Sequence, residues 1–575
     1  MVKEQLSDLI LQAVRSAQEA GELPAHESLP IPELDPPRNK AHGDYASNIA
    51  LVLAGVWNQE IKARAVADTI LKYLTAAIDQ NQRGLVKKAE VAGPGFINLT
   101  LRPDWLFEIL RQIDKENASY GRSTAGAGVK VQVEYVSANP NGPITVAHGR
   151  GGAIGDAIAA LLEATGFDVQ REFYINDALN STQMINFAKT VHVEYMRLLG
   201  HDMGPDPEWF YKGQYVVDIA RSIVDRQGNA YENANIDDPE IIGAFRQFTE
   251  KGIIEQQKAD LAAFGVAFDN WFSEATLFES GKVTKTIEEL EEKGYTYKHE
   301  GALWFRATAF GEDKDEVLVR TGGAPAYFAG DIAYHRDKLD RGFDKVIDVW
   351  GADHAGHVSR TKAGIQALGC DPARVHILLF QLVRIMRNGE LVRSSKRRGN
   401  ILELRADLID EIGKDAARFF FLMRSSDSAL DIDLDLAKEQ SSKNPVYYVQ
   451  YAHARACSVF EKAAEAGVAV PAADRANLAR LTLESEIDLI KKMGDWPEEL
   501  AYAASEYAPH RVTHYIRDLA ALFHAFYDAG NNDPSVRVLC EDAELRDARL
   551  VLVNATRIVL KNALSLLGLS APEKM

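Results

Sequence analysis

The chain has 575 residues, with 83 acidic side chains against 65 Lys and Arg, a net charge of −18, 46% hydrophobic and 26% charged residues. At about 100–200 residues per domain this is a well-cored protein of roughly three to five domains, which excludes a small scaffold or a disordered tail. The acidic total argues against broad nonspecific nucleic-acid binding and leaves any anionic partner to a local basic patch. Cys370, Cys457 and Cys540 are far apart with no Cys-x-x-Cys pair, so neither a disulfide framework nor a thiolate zinc site is encoded, and a reducing cytoplasm fits best. The longest purely apolar run, near residues 377–380, is far below the ~20 residues a bilayer crossing needs, and no membrane span is expected.

The start, residues 1–21, sets Glu4 and Asp8 among an apolar stripe of Leu6, Ile10 and Val14, which reads as an amphipathic helix and not as a signal peptide. Residues 1–110 read as a separate α/β module, with a tight turn at Ala92-Gly93-Pro94-Gly95 before Phe96-Ile97-Asn98-Leu99. After a Gly- and Ser-containing stretch at 120–128, residues 131–136 have the length and branching of a buried strand. A loop at 137–143 leads to a helix with Ile154, Ile158, Leu161 and Leu162, ending at Gly166, and then to a strand at 168–175. Strand, loop, helix, strand is a parallel crossover, and such sheets bind ligands beyond the carboxyl ends of their strands, so residues 137–148 are placed for chemistry. The stretch from about 185 to 300 reads as a mostly helical insertion. Residues 345–350 and 375–380 read as later parallel strands, separated by a helix at 358–368. From Asn444-Pro445 onward the pattern is almost entirely helical. The expected fold is α/β, a Rossmann-like parallel sheet in a central domain of residues 111–430, flanked by the N-terminal module and an all-α domain of residues 431–575.

Several motifs fail on inspection. Gly149-Arg150-Gly151-Gly152 looks like a dinucleotide fingerprint, but the third glycine position holds Ile154, and no Gly-x-x-x-x-Gly-Lys loop is present. Residues 431–435 mimic a calcium loop, with Leu436 where glycine is needed and Ser442 where glutamate is needed; a solvated strand face is expected instead. Asp353-His354-Ala355-Gly356-His357 lacks a third ligand at a sensible spacing, so no metal site is expected. The main charge anomaly is residues 384–398, with Arg384, Arg387, Arg393, Lys396, Arg397 and Arg398 against Glu390.

Two segments carry more. Thr145-Val146-Ala147-His148 stands at the first strand-to-helix junction, and Arg393-Ser394-Ser395-Lys396-Arg397 lies in the basic island after a late strand. With residues 134–140 (Glu-Tyr-Val-Ser-Ala-Asn-Pro), 171–177 (Arg-Glu-Phe-Tyr-Ile-Asn-Asp), Asp415-Ala416-Ala417-Arg418-Phe419-Phe420, the helix around Tyr447–His453 and the N-terminal residues 42–48, the sequence resembles class I aminoacyl-tRNA synthetases, and within them arginyl-tRNA synthetases, over nearly its whole length. The resemblance implies that L-arginine reacts with ATP to give arginyl-adenylate and pyrophosphate, and that the arginyl group passes to the 3′ end of tRNA(Arg) with release of AMP. It assigns His148 and Lys396 to catalysis, and Thr145, Ala147, His148, Gly149, Arg393, Ser394, Ser395 and Lys396 to ATP. It assigns Glu134, Asn139, His148, Tyr327, Asp331 and Asp353 to arginine, and Tyr448, Tyr451 and Arg455 to tRNA. Mg²⁺ would arrive with ATP without a dedicated protein site. The family further implies a cytoplasmic monomer that needs tRNA before it activates arginine, and it casts the N-terminal module as a tRNA-binding domain and the helical domain as the anticodon-binding one.

The chain departs from the family's His-x-Gly-His pattern, with Thr145 for the first His and Ala147 for Gly, and Ser394 stands where methionine is common. A larger Ala147 facing a smaller Ser394 would keep the adenine slot similar in width. Two rival readings remain at this point: a noncatalytic tRNA-binding relative, and a small-molecule adenylyltransferase with no RNA partner.

Overall fold

Strand β1 (Lys130–Tyr135), helix α1 (Val146–Ala164) and strand β2 (Asp168–Ile175) form the predicted crossover. They are joined by β3 (Asn270–Ser273), β4 (Lys345–Gly351) and β5 (Val375–Phe380) in one parallel sheet of spatial order β5-β4-β1-β2-β3. This computed structural model describes residues 2–26, 28–35, 37, 39, 42–57, 61–80, 84–177, 182–392 and 402–575. From β1 the chain builds the sheet outward through β2 and β3, then returns to the other side of β1 for β4 and β5. The crevice of such a sheet opens between the strands where this direction reverses, here β1 and β4, beyond their carboxyl ends.

Local sequence explains how α1 reaches that crevice. Thr145 is its N-cap, in extended conformation, and its hydroxyl accepts the His148 N–H at 3.3 Å. Behind the cap, two of the helix's four glycines let its axis lie close to the sheet: a methyl on Gly155 would come under 3.0 Å from the Tyr135 ring, and one on Gly151 would meet the Phe380 ring. Left-handed Gly166 (φ 94°) then ends the helix. The sheet's other helices include α2 (Tyr327–Asp340) and α3 (Ala355–Ala367).

Two sequence expectations change. Val136 does not extend β1; it and Ser137 adopt left-handed backbone, φ 70° and 39°. Strand β3 lies inside the stretch read as a helical insertion, since four residues are too few to show alternation. The helices Thr182–Leu198, Gln214–Gln227 and Pro239–Ala263 do fill much of that stretch, around Phe187, Tyr195 and Phe245. The calcium-loop mimic is a strand as expected, Leu430–Asp433, which pairs in parallel with Val383–Arg387 and exposes Asp431, and its last residue, Asp433, caps the helix Leu434–Lys438.

The described chain gathers into two compact units. One holds residues 117–467, 495–528 and 556–575, and so the parallel sheet; the other holds 1–116, 468–494 and 529–555. The latter contains a four-stranded antiparallel sheet in which Phe96–Leu101 pairs with both Tyr45–Ser47 and Val86–Ala92. There Asp44 caps the Leu101 N–H at 2.8 Å and pairs with Lys491, and Glu486 pairs with Arg549 in the interior.

Close approach of α1 to β1 is a packing constraint that can be measured. Gly155→Ala should destabilise the protein by about 1–3 kcal/mol, the usual cost of an extra methyl in a filled interior. Urea unfolding checks it, and an unchanged midpoint would mean that the helix has room to spare.

Candidate active site

The first turn of α1 forms one wall of the crevice. The Thr145 N–H donates to His148 Nδ1 at 3.2 Å, and the Thr145 hydroxyl lies 3.1 Å from the same nitrogen. A main-chain N–H can only donate, so Nδ1 is the acceptor and the proton of the neutral ring sits on Nε2. Burial lowers the His148 pKa to about 4, against a smaller opposing pull from Asp353. The ring is therefore neutral near pH 7, with its tautomer set. Of the first-turn amides, Val146 N–H is taken by Leu402 O at 2.9 Å and His148 N–H by the Thr145 hydroxyl. Among the described residues only Ala147, which is exposed, keeps an unpartnered N–H there. The helix end thus offers one open donor to an anion, fewer than its sequence position suggests. A methyl on Gly149 would collide with Leu404, which makes that glycine a packing requirement.

The loop after β1 is held from several sides. Ser137 Oγ donates to Glu134 Oε1 at 2.8 Å and accepts the Tyr174 N–H at 3.1 Å. Asn139 Oδ1 accepts from Asn176 at 3.1 Å, while buried Gln257 donates to the carbonyls of Asn139 and Gly142 at 3.1 and 2.9 Å. Two consecutive non-glycine residues in left-handed backbone cost energy, and these bonds supply the fixing that holds them.

Acids line the opposite side. Glu134 is 5% exposed, and its second oxygen receives the Lys338 ammonium at 2.5 Å. Asp331, in the second turn of α2, is half-buried, and its carboxylate has no hydrogen bond or ion pair to any described residue. Burial pushes its pKa up, with His335, Arg360, His354 and Lys338 opposing from a distance. Tyr174 of β2 faces Glu274, Asp331 and Glu134 together. Glu274 was missed in the sequence because it follows the unrecognised β3; it is 4% exposed, and its Oε1 would stand 3.4 Å from a methyl on Gly330, next to Asp331. Tyr327 opens α2, is 58% exposed, and carries the Arg320 guanidinium 5.6 Å above its ring. Asp353, beyond β4, is exposed and 3.6 Å from the His354 ring. The crevice therefore brings His148 and Asp353 within electrostatic reach of each other, and gathers Glu134, Asp331, Tyr174 and Glu274 into a second group.

Arg393, Ser394, Ser395, Lys396, Arg397 and Arg398 lie outside the described residues, so the expected pairing of Ala147 with Ser394 does too. The rest of the basic island is engaged: Arg384 pairs with Asp431 at 2.7 Å and Arg387 with Glu411. Away from the crevice, Tyr448, Tyr451 and Arg455 share one helix, Pro445–Glu465. The His524 ring lies 4.6 Å from Tyr448 and 5.8 Å from Tyr451. The Arg455 guanidinium lies 4.9 Å over Tyr451 and 4.7 Å over Tyr527, and is paired with Asp528 at 2.9 Å.

Three family models match the chain: "Arginyl tRNA synthetase N terminal domain" over residues 4–101, "tRNA synthetases class I (R), catalytic domain" over 110–433, and "DALR anticodon binding domain" over 449–575. An arginine–tRNA ligase of Heliobacterium modesticaldum is 48% identical, the match covering 100% of this chain and 99% of that one. One of Caldanaerobacter subterraneus is 47% identical with the same coverage. Among solved structures, a putative arginyl-tRNA synthetase of Campylobacter jejuni superposes with a TM-score of 0.75 at 30% identity, covering 83% of this chain and 100% of that one. The Thermus thermophilus arginyl-tRNA synthetase shares the fold over the full length of both chains, with a TM-score of 0.74 at 22% identity. With a class I catalytic-domain model spanning more than half its length and full-length relatives near half identity, the chain belongs to the arginyl-tRNA synthetase family.

Proposed function

We propose that the acid-lined side of the crevice is the arginine site, and the α1 side the ATP site, of an enzyme that makes arginyl-adenylate and transfers the arginyl group to the 3′ end of tRNA(Arg). The observation that carries this reading is Asp331: a half-buried carboxylate with no hydrogen bond or ion pair among the described residues, grouped with Glu134 and Glu274 around Tyr174, suits a cationic side chain. A guanidinium, with five donors in a planar fork, fits ionised oxygens better than an ammonium does. Tyr327 would line the same pocket, Asn139 would hold the α-amino or carboxylate end, and Asp353 would assist at the amino group.

In the first step the arginine carboxylate oxygen attacks the α-phosphorus of ATP, and the bond to the pyrophosphate oxygen breaks. His148, neutral and carrying its proton on Nε2, would donate to a phosphate oxygen, and the Ala147 N–H would add one main-chain donor. Thr145 and Gly149 would shape the wall beneath the nucleotide. Lys396, with Arg393, Ser394 and Ser395, would approach the phosphates as charge builds on the departing group. Lys396 is six positions before Leu402, whose carbonyl already receives the Val146 N–H. Mg²⁺ would enter with the triphosphate. Residues 1–110 would hold tRNA, and the Tyr448, Tyr451 and Arg455 cluster of the helical domain would contact its anticodon arm by stacking and charge. The enzyme would work as a cytoplasmic monomer.

Arginine-dependent exchange of pyrophosphate into ATP tests the reading, with and without tRNA. Exchange should require both arginine and tRNA, and Lys396→Ala should abolish most of it. Asp331→Asn should raise the arginine KM on the order of 100-fold, about 3 kcal/mol, as expected when one partner of a desolvated charge pair is removed. Unaltered arginine selectivity in that variant would defeat the assignment. Because Asp331 carries a raised pKa and binds the cation only when ionised, the wild-type arginine KM should increase as pH falls through that value, a limb that Asp331→Asn should lack. For His148 we expect no titration between pH 5.5 and 8 in nuclear magnetic resonance spectra of ring-labelled protein; a midpoint near 6.5 would contradict a buried neutral ring.

A further inference from the structure

We infer that Lys338 is a positioning residue for arginine selection: its ammonium locks Glu134 and, through Asp348 and His335, the turn of α2 that bears Asp331. The inference rests on the arginine site proposed above and adds to it residues that touch no substrate.

Strand register creates the need for it. Asp348 of β4 stands beside Glu134 of β1, and Glu134 stands beside Glu172 of β2. All three are buried, at 0%, 5% and 0% exposure. Like charges side by side in a dry sheet repel, and α2 answers them from one face. Lys338 Nζ donates to Glu134 Oε2 at 2.5 Å and Asp348 Oδ1 at 2.6 Å, and lies 4.2 Å from the Tyr334 ring. Arg341 holds Glu172 at 2.5 and 2.9 Å, and Tyr334 donates to the same acid at 2.6 Å. His335 lies between Asp348 Oδ2, 2.9 Å from Nε2, and the Asp331 carbonyl, 2.7 Å from Nδ1. Both of those partners are acceptors, so the ring bridges β4 to the main chain of α2.

One chain of bonds therefore runs from the Asp331 main chain through His335, Asp348, Lys338, Glu134 and Ser137 to the Tyr174 N–H, joining α2 to β4, β1 and β2. The groups that face Glu134 are Lys338 and Tyr334 from α2, Asp348 from β4, Glu172 and Tyr174 from β2, and Ser137 of its own loop. Burial pushes the Glu134 pKa up, and Lys338 is the main group pulling it back. Without the ammonium, Glu134 keeps its proton to higher pH and ceases to be a fixed anion beside the guanidinium.

The full-length chain is first assayed for charging of tRNA with arginine. No charging there would remove the reading of the site, a failure distinct from those that follow. Lys338→Met should raise the arginine KM by at least about tenfold and leave the ATP KM within about twofold, a split that marks lost arginine binding. Lys338→Met with Asp348→Asn removes one charge of each sign. Its melting temperature should recover relative to the single variant, while its arginine KM stays raised and the acidic limb of kcat/KM for arginine moves to higher pH. The proposal is overturned if the arginine KM recovers with stability, if the arginine and ATP KM values rise together, or if the acidic limb stays in place. Should neither variant fold, His335→Gln decides, since it leaves Lys338 and all three acids present. A raised arginine KM at constant ATP KM then supports the positioning role, and an unchanged one overturns it.

Discussion

The arrangement of the crevice depends on three carboxylates lying side by side across β4, β1 and β2, under a helix that supplies their counter-charges. An unpaired buried carboxylate costs several kcal/mol even after relaxation, so this row is tolerable only with Lys338 and Arg341 in place. Buried pairs of this kind add little net stability, because desolvation consumes most of the Coulomb gain. What they impose is geometry. Tyr334, His335, Lys338 and Arg341 lie at helical spacing, so α2 satisfies the row in one rotation and one axial position. An apolar α2 could slide or turn by part of a residue at small cost; this one cannot, and Tyr327 and Asp331 in its first two turns inherit that precision.

A second consequence concerns which acids remain open to a ligand. Glu134 has Lys338 on one oxygen and Ser137 on the other, and Glu172 is enclosed by Arg341, Tyr334 and Asn270. Counting acids in the sequence treats Glu134 and Asp331 as equivalent guanidinium ligands. In the folded protein they differ, since Asp331 alone of the two has a carboxylate without a partner among the described residues. Asp331 can supply a strong new pair, whereas Glu134 contributes as a fixed field whose sign and place are set by neighbours.

Much of the central fold was legible because each element carried its own signal. The crossover from 130 to 175 shows an apolar strand, a glycine-rich helix start and a second strand in uninterrupted order, and the later strands at 345 and 375 are equally apolar. The elements that escaped had no such signal. Four residues, Asn270–Ser273, carry no period, and with them went Glu274. The acid row escaped for a different reason: each acid is visible as one charge in an apolar segment, but nothing within a segment says which residue of another strand it will stand beside. Register is a tertiary fact. The segment around Lys396 is singled out by resemblance alone, and it lies outside the described residues.

The replacement of the family's first histidine shows how sequence and structure read one residue differently. In the sequence, Thr145 is a lost imidazole at the phosphates. In the structure, position 145 is the N-cap of α1, and its main-chain N–H is what holds His148 Nδ1. Histidine and threonine supply that main-chain donor alike, so the hydrogen bond that sets the tautomer of His148 does not depend on which of the two stands at 145. The threonine hydroxyl adds an acceptor for the His148 N–H, a cap that stabilises a helix start by about 1 kcal/mol relative to alanine. Burial keeps the ring uncharged, so it carries no charge for Asp353 to pair with. On the reading proposed above, a neutral donor held from behind by main chain would meet phosphate on one side of the crevice, and Asp331, unpaired among the described residues, would meet a cation on the other.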